Sequence, residues 1–283
     1  MDSWIILSLT YGLLCGTSDI VKKEALKQNN VSNVLLLFNL ICLVLIVPTV
    51  TTFYLSIKNF MLILLKSFCV FLGWLLGFKS ITLVPISLYG ILMLSKILFS
   101  TLLGAIFLNE SLSGLKILGM IIIIAGITLS NLNFKTSKSK NQKVKIKHVL
   151  LTLSASLIIS ISVFLDKVIL TEIQTQTLQF YYVILIVIFY LMFMLKTKTK
   201  VEFCAIKTNI FIPTLSAISF LADKCHFVAA SNPNASVILM TLLRQSSLIV
   251  SVFVGGLIYK EKYLILKLFS CVIVIIGLIL TII

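Results

Sequence analysis

Arginine is almost missing from this chain: Arg244 is the one arginine among 24 basic residues. Acids are scarce as well, nine in 283 residues, and charged side chains make up only 12%. Soluble domains carry about a quarter. A hydrophobic fraction of 59% and a mean hydropathy of +1.15 exceed what a soluble core of this size hides, so the solvent is lipid. Histidine is limited to His148 and His226. No HExxH, no GxSxG and no close pair of aspartates within one apolar run occurs, so the chain is not expected to be an enzyme, nor to hold a metal or cofactor. Cys15, Cys42, Cys69, Cys204, Cys225 and Cys271 form no CxxC pair, and five of them fall in or beside apolar runs. That excludes a disulfide framework and points to free thiols. No basic leader with a small-residue cleavage site precedes the first apolar run, which is expected to stay as a helix. The formal charge of +15 would suit a nucleic-acid binder, but the lysines cluster in short segments between apolar runs. They read as membrane topology signals, and no nucleic acid partner is expected.

What is present is repetition. A spanning helix needs about 20 apolar residues. Ten such runs cover 3–21, 33–54, 59–78, 85–108, 114–132, 148–170, 177–195, 209–230, 234–259 and 264–283. The lysine-rich stretch 133–147 divides them into five and five, giving expected units 1–132 and 148–283 joined by a basic linker. The fourth run, PISLYGILMLSKILFSTLLGAIFLNESL, aligns with the ninth, NASVILMTLLRQSSLIVSVFVGGLIYKEKY. With Glu110 set on Glu261, Ser95 falls on Ser246, Ser100 on Ser251 and Gly104 on Gly255. The fifth and tenth runs share an aliphatic stretch ending in glycine. An odd number of spans per unit inverts the second unit against the first. The expected fold is therefore an all-α membrane protein of ten transmembrane helices, two inverted five-helix repeats around a central cavity.

Three stretches resemble the drug/metabolite transporter superfamily, in its ten-helix EamA-type branch. They are LCGTSDIVKK from Leu14, LNESLSGLKILGMIIIIAG from Leu108, and the second copy between Ile238 and Leu280 with Lys260-Glu261. Cys15 stands where the family usually has tryptophan, and Lys96 and Ser247 stand where it often has proline. The resemblance implies a multi-pass carrier in the cell membrane, working by alternating access on a small-molecule substrate. Lysine bias places 17 basic residues on one side and four on the other, which predicts both termini outside. The resemblance implies both termini in the cytoplasm. Monomer and homodimer both stay open.

The intramembrane charges carry the functional expectation. Lys96 and Arg244 lie about 15 Å deep on equivalent runs, each ten or so residues in. Tyr89, Lys96 and Ser100 share one helical stripe, and Thr241, Arg244 and Ser251 another. A guanidinium offers a planar fork to carboxylate or phosphate. These residues, with Trp74 as a stacking surface, are the expected binding set for a small anionic or zwitterionic metabolite: an amino acid, organic acid or phosphorylated compound. Asp19, Asp166 and Asp223 are the expected counter-charges, able to balance the cations or to carry protons. Ser216, Ser219, Asp223 and His226 share a stripe on the eighth run. The alternative is a proton-coupled exporter of cationic or amphipathic compounds, with the acids as binding groups. Lys66, Lys167 and Lys224 are expected to snorkel to the interface. Asp19 is expected to pair locally with Lys22 or Lys23. The GxxxG patterns Gly12–Gly16 and Gly73–Gly77 are expected to serve close packing.

Overall fold

In lipid, an apolar run of about 20 residues has to satisfy its backbone N–H and C=O groups within itself, and a helix does so. The computed structural model describes residues 3–50, 53–107, 114–136, 145–170, 172–230, 243, 246–247, 249–260 and 264–282, and all of its regular structure is helical. In chain order these are α1 (Ser3–Ala25), α2 (Val31–Ile46), α3 (Ile57–Leu83), α4 (Ile86–Met93), α5 (Ser95–Phe107) and α6 (Gly114–Thr136). Then come α7 (Ile146–Ile169), α8 (Thr175–Lys196), α9 (Ala205–Thr208), α10 (Phe211–Ala230), a π-helical segment Ile249–Val254, α11 (Gly255–Ile258) and α12 (Leu264–Ile282). Five stretches are long and apolar enough to cross a bilayer: Trp4–Ala25, Val31–Thr49, Ile57–Leu83, Ile146–Asp166 and Thr175–Lys196. Shorter apolar helices, Ile117–Gly126 and Leu264–Gly277, lie beside them. Large apolar side chains such as Val44, Leu195 and Ile265 point outward, as lipid-facing surfaces require. The molecule is a multi-pass membrane protein.

Helix ends follow local chemistry. Pro48 cannot donate to a continuing α-helix, and α2 tightens into a 3₁₀ turn at Val47–Thr49. The Ser56 hydroxyl caps α3 by accepting from the Asn59 N–H at 3.3 Å. The fourth apolar run, expected as one helix, is two. At Leu94 the N–H turns to the Ile91 carbonyl at 3.2 Å, a three-residue closure, and α5 restarts at Ser95. The Ser95 hydroxyl reinforces the break: it donates to the Leu92 carbonyl at 2.7 Å and lies 2.6 Å from the Ser156 hydroxyl.

Neighbouring helices alternate in direction. At one end of the bundle the Asn209 amide donates to the Ala25 carbonyl at 2.9 Å. At the other, Lys58 pairs with Glu172 at 2.6 Å and the Tyr181 hydroxyl donates to the Phe53 carbonyl at 2.8 Å. The principal packing partners are α1 with α10, α3 with α7, α2 with α8, and α6 with α12. Hydroxyls join α3 and α5 to α7: Ser80 bonds Thr152, and Ser95 bonds Ser156. In membranes such interhelical bonds contribute about 0.6 kcal/mol each. Between α6 and α12 the backbones themselves approach. A Cβ on Gly126 would meet Val274 Cγ2 at 2.6 Å and the Ser270 carbonyl at 3.1 Å. One on Gly277 would meet the Gly119 carbonyl at 2.8 Å and Ile123 at 2.9 Å. Of the GxxxG glycines, Gly16 brings α1 against the backbone of Ser247, and Gly73 fits under Ile159.

Candidate functional site

Between the helices lies a cavity of about 220 Å³. It draws on both halves of the chain. From the first half come Asp19 and Lys22 of α1, Asn39 of α2, Trp74 of α3, Tyr89 of α4 and Lys96 of α5. The second half supplies Gln179 and Tyr182 of α8, Ser219 and Asp223 of α10, Ser247, and Ser251 of the π-helical segment. Aromatic rings form part of the wall: Trp74 stands 5.4 Å from Phe38 between centroids, and Phe38 stacks on Phe78 at 6.3 Å.

Charge of both signs lines this cavity, and one opposed pair is formed within it. Lys22 bonds Asp19 Oδ1 at 2.8 Å, the local pair expected from their spacing, and its ammonium sits 4.9 Å from the Phe78 ring. Lys23 turns away, donating to the Val84 carbonyl at 3.4 Å. Asp223 accepts from the Tyr182 hydroxyl at 3.2 Å. Lys96 enters just after the break at Leu94, so the interruption of the helix sets where that ammonium stands.

The cavity thus gathers Lys96, Tyr89, Trp74, Ser251, Asp19 and Asp223. Asp166 stands elsewhere. It lies against Lys66 at 2.7 Å, on the interface of α3 with α7. Lys66, expected to snorkel, is only 5% exposed. Its ammonium is 3.4 Å from the Ser162 hydroxyl and 4.8 Å from the centre of the Tyr182 ring. The reason is rotational: the side chain faces α7 and finds a carboxylate there, so reaching the interface would strand both charges. Lys224 lies over Phe220 at 5.6 Å. Lys267, one of the 17 basic residues that the lysine bias assigns to one side, falls in the first turn of α12 and is 1% exposed. Arg244 and Thr241 lie outside the described residues, as do the side chains of Ser100 and Lys167. Of the stripe on α10, Ser219 and Asp223 line the cavity. Ser216 instead bonds the Phe38 carbonyl at 3.2 Å, and His226 stacks on Tyr11 at 4.8 Å. All six cysteines are free thiols, and Cys15 and Cys42 line the cavity.

Sequence reasoning missed Asn39, Gln179 and Tyr182. Asn39 and Gln179 are each 1% exposed. A lone amide in an apolar run, as in VLLLFNLICL, is the signal that marks such a residue, because an amide in hydrocarbon is costly unless it is bonded.

The model of the EamA-like transporter family matches residues 2–132. A solved structure titled only "Crystal structure of protein" shares the fold at a TM-score of 0.67 and 11% identity, over 98% of this chain and 96% of that one. No curated protein sequence matches the chain. A helical bundle built for lipid, an internal cavity with charged walls and the family match over residues 2–132 agree: that stretch of the chain is similar to the EamA-like transporter family, membrane transporters of the drug/metabolite transporter type.

Proposed function

We propose that the chain carries a small polar solute, anionic or zwitterionic, across the cell membrane by alternating access. Its working parts are two inverted five-helix repeats, residues 1–132 and 148–283, linked by the basic stretch 133–147. One observation carries this reading: the contacts are reciprocal. Exchanging first-half helices for their second-half counterparts turns the α1–α10 contact into α7–α3 and returns α2–α8 and α6–α12 to themselves. The glycines repeat the pattern residue by residue. Gly126 faces Ser270, seven residues before Gly277, and Gly277 faces Gly119, seven before Gly126. Contacts in which i meets j and j meets i are the mark of a two-fold axis. Such an axis in the membrane plane places a binding site at its centre, reachable from either side as the halves rock.

In this reading Lys96 and Arg244 hold the negative group of the solute, with Tyr89, Trp74, Ser100, Thr241 and Ser251 around it. Asp19 and Asp223 balance charge or carry a proton, and Asp166 acts on the same balance through Lys66. The test is uptake into proteoliposomes of labelled amino acids, organic acids and phosphorylated compounds, repeated with Lys96→Met and Arg244→Gln. Loss of uptake in both variants, with folding retained, supports the proposal. Undiminished uptake in both refutes the assignment.

The aromatic wall of Trp74, Phe38 and Phe78 beside Asp19 and Asp223 favours a second reading, proton-coupled export of cationic or amphipathic compounds. There Asp223→Asn abolishes cation movement while Arg244→Gln leaves it intact.

A further inference from the structure

Two buried polar atoms of cavity-lining residues have no hydrogen-bond partner among the described residues: Asn39 Oδ1 and Gln179 Nε2. Both residues are 1% exposed and both line the cavity. They come from α2 and α8, helices that pack against each other and hold corresponding places in the two halves. The Asn39 orientation is fixed, because its Nδ2 donates to the Leu35 carbonyl at 2.7 Å. A flipped amide would set oxygen against oxygen there, so the atom left over is an acceptor. On Gln179 the atom left over is Nε2, a donor, on an amide that no other hydrogen bond holds in one orientation. An unbonded buried amide group costs free energy that the fold does not recover elsewhere. A ligand that bonds it returns that energy on binding.

We propose that Asn39 and Gln179 form a neutral subsite that holds the carboxamide end of a small solute, its N–H on Asn39 Oδ1 and its C=O on Gln179 Nε2. The proposal rests on the cavity being the substrate site. A carboxamide is the group that supplies one donor and one acceptor without bringing charge. A carboxylate in the same place offers no donor to Asn39 and sets its charge against a carbonyl oxygen. An ammonium offers no acceptor to Gln179. Ionised groups of the solute are served instead at Asp19, Lys22, Lys96 and Asp223. A site that leaves its buried polar groups unpaired against the wrong analogue discriminates strongly.

The molecule supplies its own reporter. The chain has two tryptophans; Trp74 lines the cavity and Trp4 is absent from its wall. In a Trp4→Phe background, Trp74 emission reads ligand binding to the purified full-length protein. The probes are two amide–acid pairs, L-glutamine with L-glutamate and L-asparagine with L-aspartate, with malate and putrescine as charged controls. We expect at least one amide to bind tenfold or more tightly than its acid. Asn39→Leu and Gln179→Leu are then expected each to weaken that amide about tenfold, the worth of one buried hydrogen bond. Both variants are expected to melt no lower than the parent, because each exchanges an unsatisfied amide for an apolar side chain of similar size. That combination separates a ligand-reading residue from a packing one, which would lose stability. Acids binding as tightly as their amides in both pairs, or amide affinity unchanged in both leucine variants, overturns the subsite while leaving the carrier reading intact. No response of Trp74 to any of the six probes overturns the subsite, and the carrier reading falls with it only if proteoliposomes also take up none of the labelled solutes.

Discussion

Replacing Asp166 by asparagine tests whether the Lys66–Asp166 contact is a lock. The pair spans α3 and α7 at 2.7 Å, with side-chain exposures of 7% and 27%. Removing one partner of a buried pair costs about 3–5 kcal/mol, because the other charge stays behind. Part of that loss is offset. The ammonium keeps the Ser162 hydroxyl at 3.4 Å and the Tyr182 ring at 4.8 Å. Such a ring contact contributes about 0.5–2 kcal/mol. The partial exposure of Asp166 lowers the expected loss further, leaving about 2–3 kcal/mol. At about 2–4 °C per kcal/mol, Asp166→Asn is expected to melt roughly 5–10 °C lower in detergent. Lys66→Met is expected to fall less, because a carboxylate with 27% exposure keeps part of its hydration when its partner is removed. The double variant Lys66→Leu/Asp166→Leu is expected to return to within about 1 kcal/mol of the parent, as apolar replacements of buried pairs do. Melting curves of the four proteins make the measurement. An Asp166→Asn protein that melts with the parent, or a double variant as low as the single, refutes the reasoning. Transport by the double variant adds a second readout: stability regained without transport assigns Asp166 to coupling rather than to holding helices together.

Further predictions concern other parts of the bundle. Gly277→Ala places a Cβ 2.8 Å from the Gly119 carbonyl, backbone that cannot step aside, and is expected to cost about 1–3 kcal/mol. Gly114→Ala meets nothing within 4 Å and is its control; equal melting of the two proteins refutes the close approach of α6 and α12. At the bundle end, the hydrogen bond from Lys58 holds the Glu172 carboxyl below the usual glutamate range. The folded state therefore takes up that proton less readily than the unfolded one. The stabilisation is complete above the ordinary glutamate range and fades as pH falls through the lowered folded value. The melting difference between parent and Glu172→Gln is expected to be steady at neutral pH, to close in acid, and to shrink with salt; a difference that grows in acid reverses the sign and sinks the assignment. Cys15 and Cys42 line the cavity and form no disulfide, so a small thiol reagent is expected to label them and bound substrate to slow the labelling, read by mass spectrometry of the intact protein. Labelling indifferent to every transported solute counts against the cavity.

The broad architecture was legible because bilayer thickness dictates run length. The apolar stretches that became α1, α2, α3, α7 and α8 announced themselves by length and by scarcity of charge. The aliphatic-glycine stretches of the fifth and tenth runs signal repetition, and the close contact that Gly126 and Gly277 allow between α6 and α12 was not foreseen from them. Rotation about each helix axis was not legible. Lys66 sits on an apolar run whose sequence fits outward or inward placement equally well, and only the facing Asp166 of α7 settles it. Asn39 and Gln179 went unnoticed for the same reason: a single amide carries no periodicity. The break at Leu94 also escaped, because no proline or glycine occupies the position and the serine that stabilises it is common in intact helices. The pairing of Asp19 with Lys22 was readable because it lies within one turn.

That break has a mechanical consequence. A kink made by proline is permanent, since the missing N–H cannot be restored. At Leu94 every amide is still in place, and the chain exchanges one four-residue closure for a three-residue one. The joint can therefore heal. Straightening at Leu94 would give up the two serine contacts and carry Lys96 along with the restarted helix, which makes this position a closable joint beside the cavity.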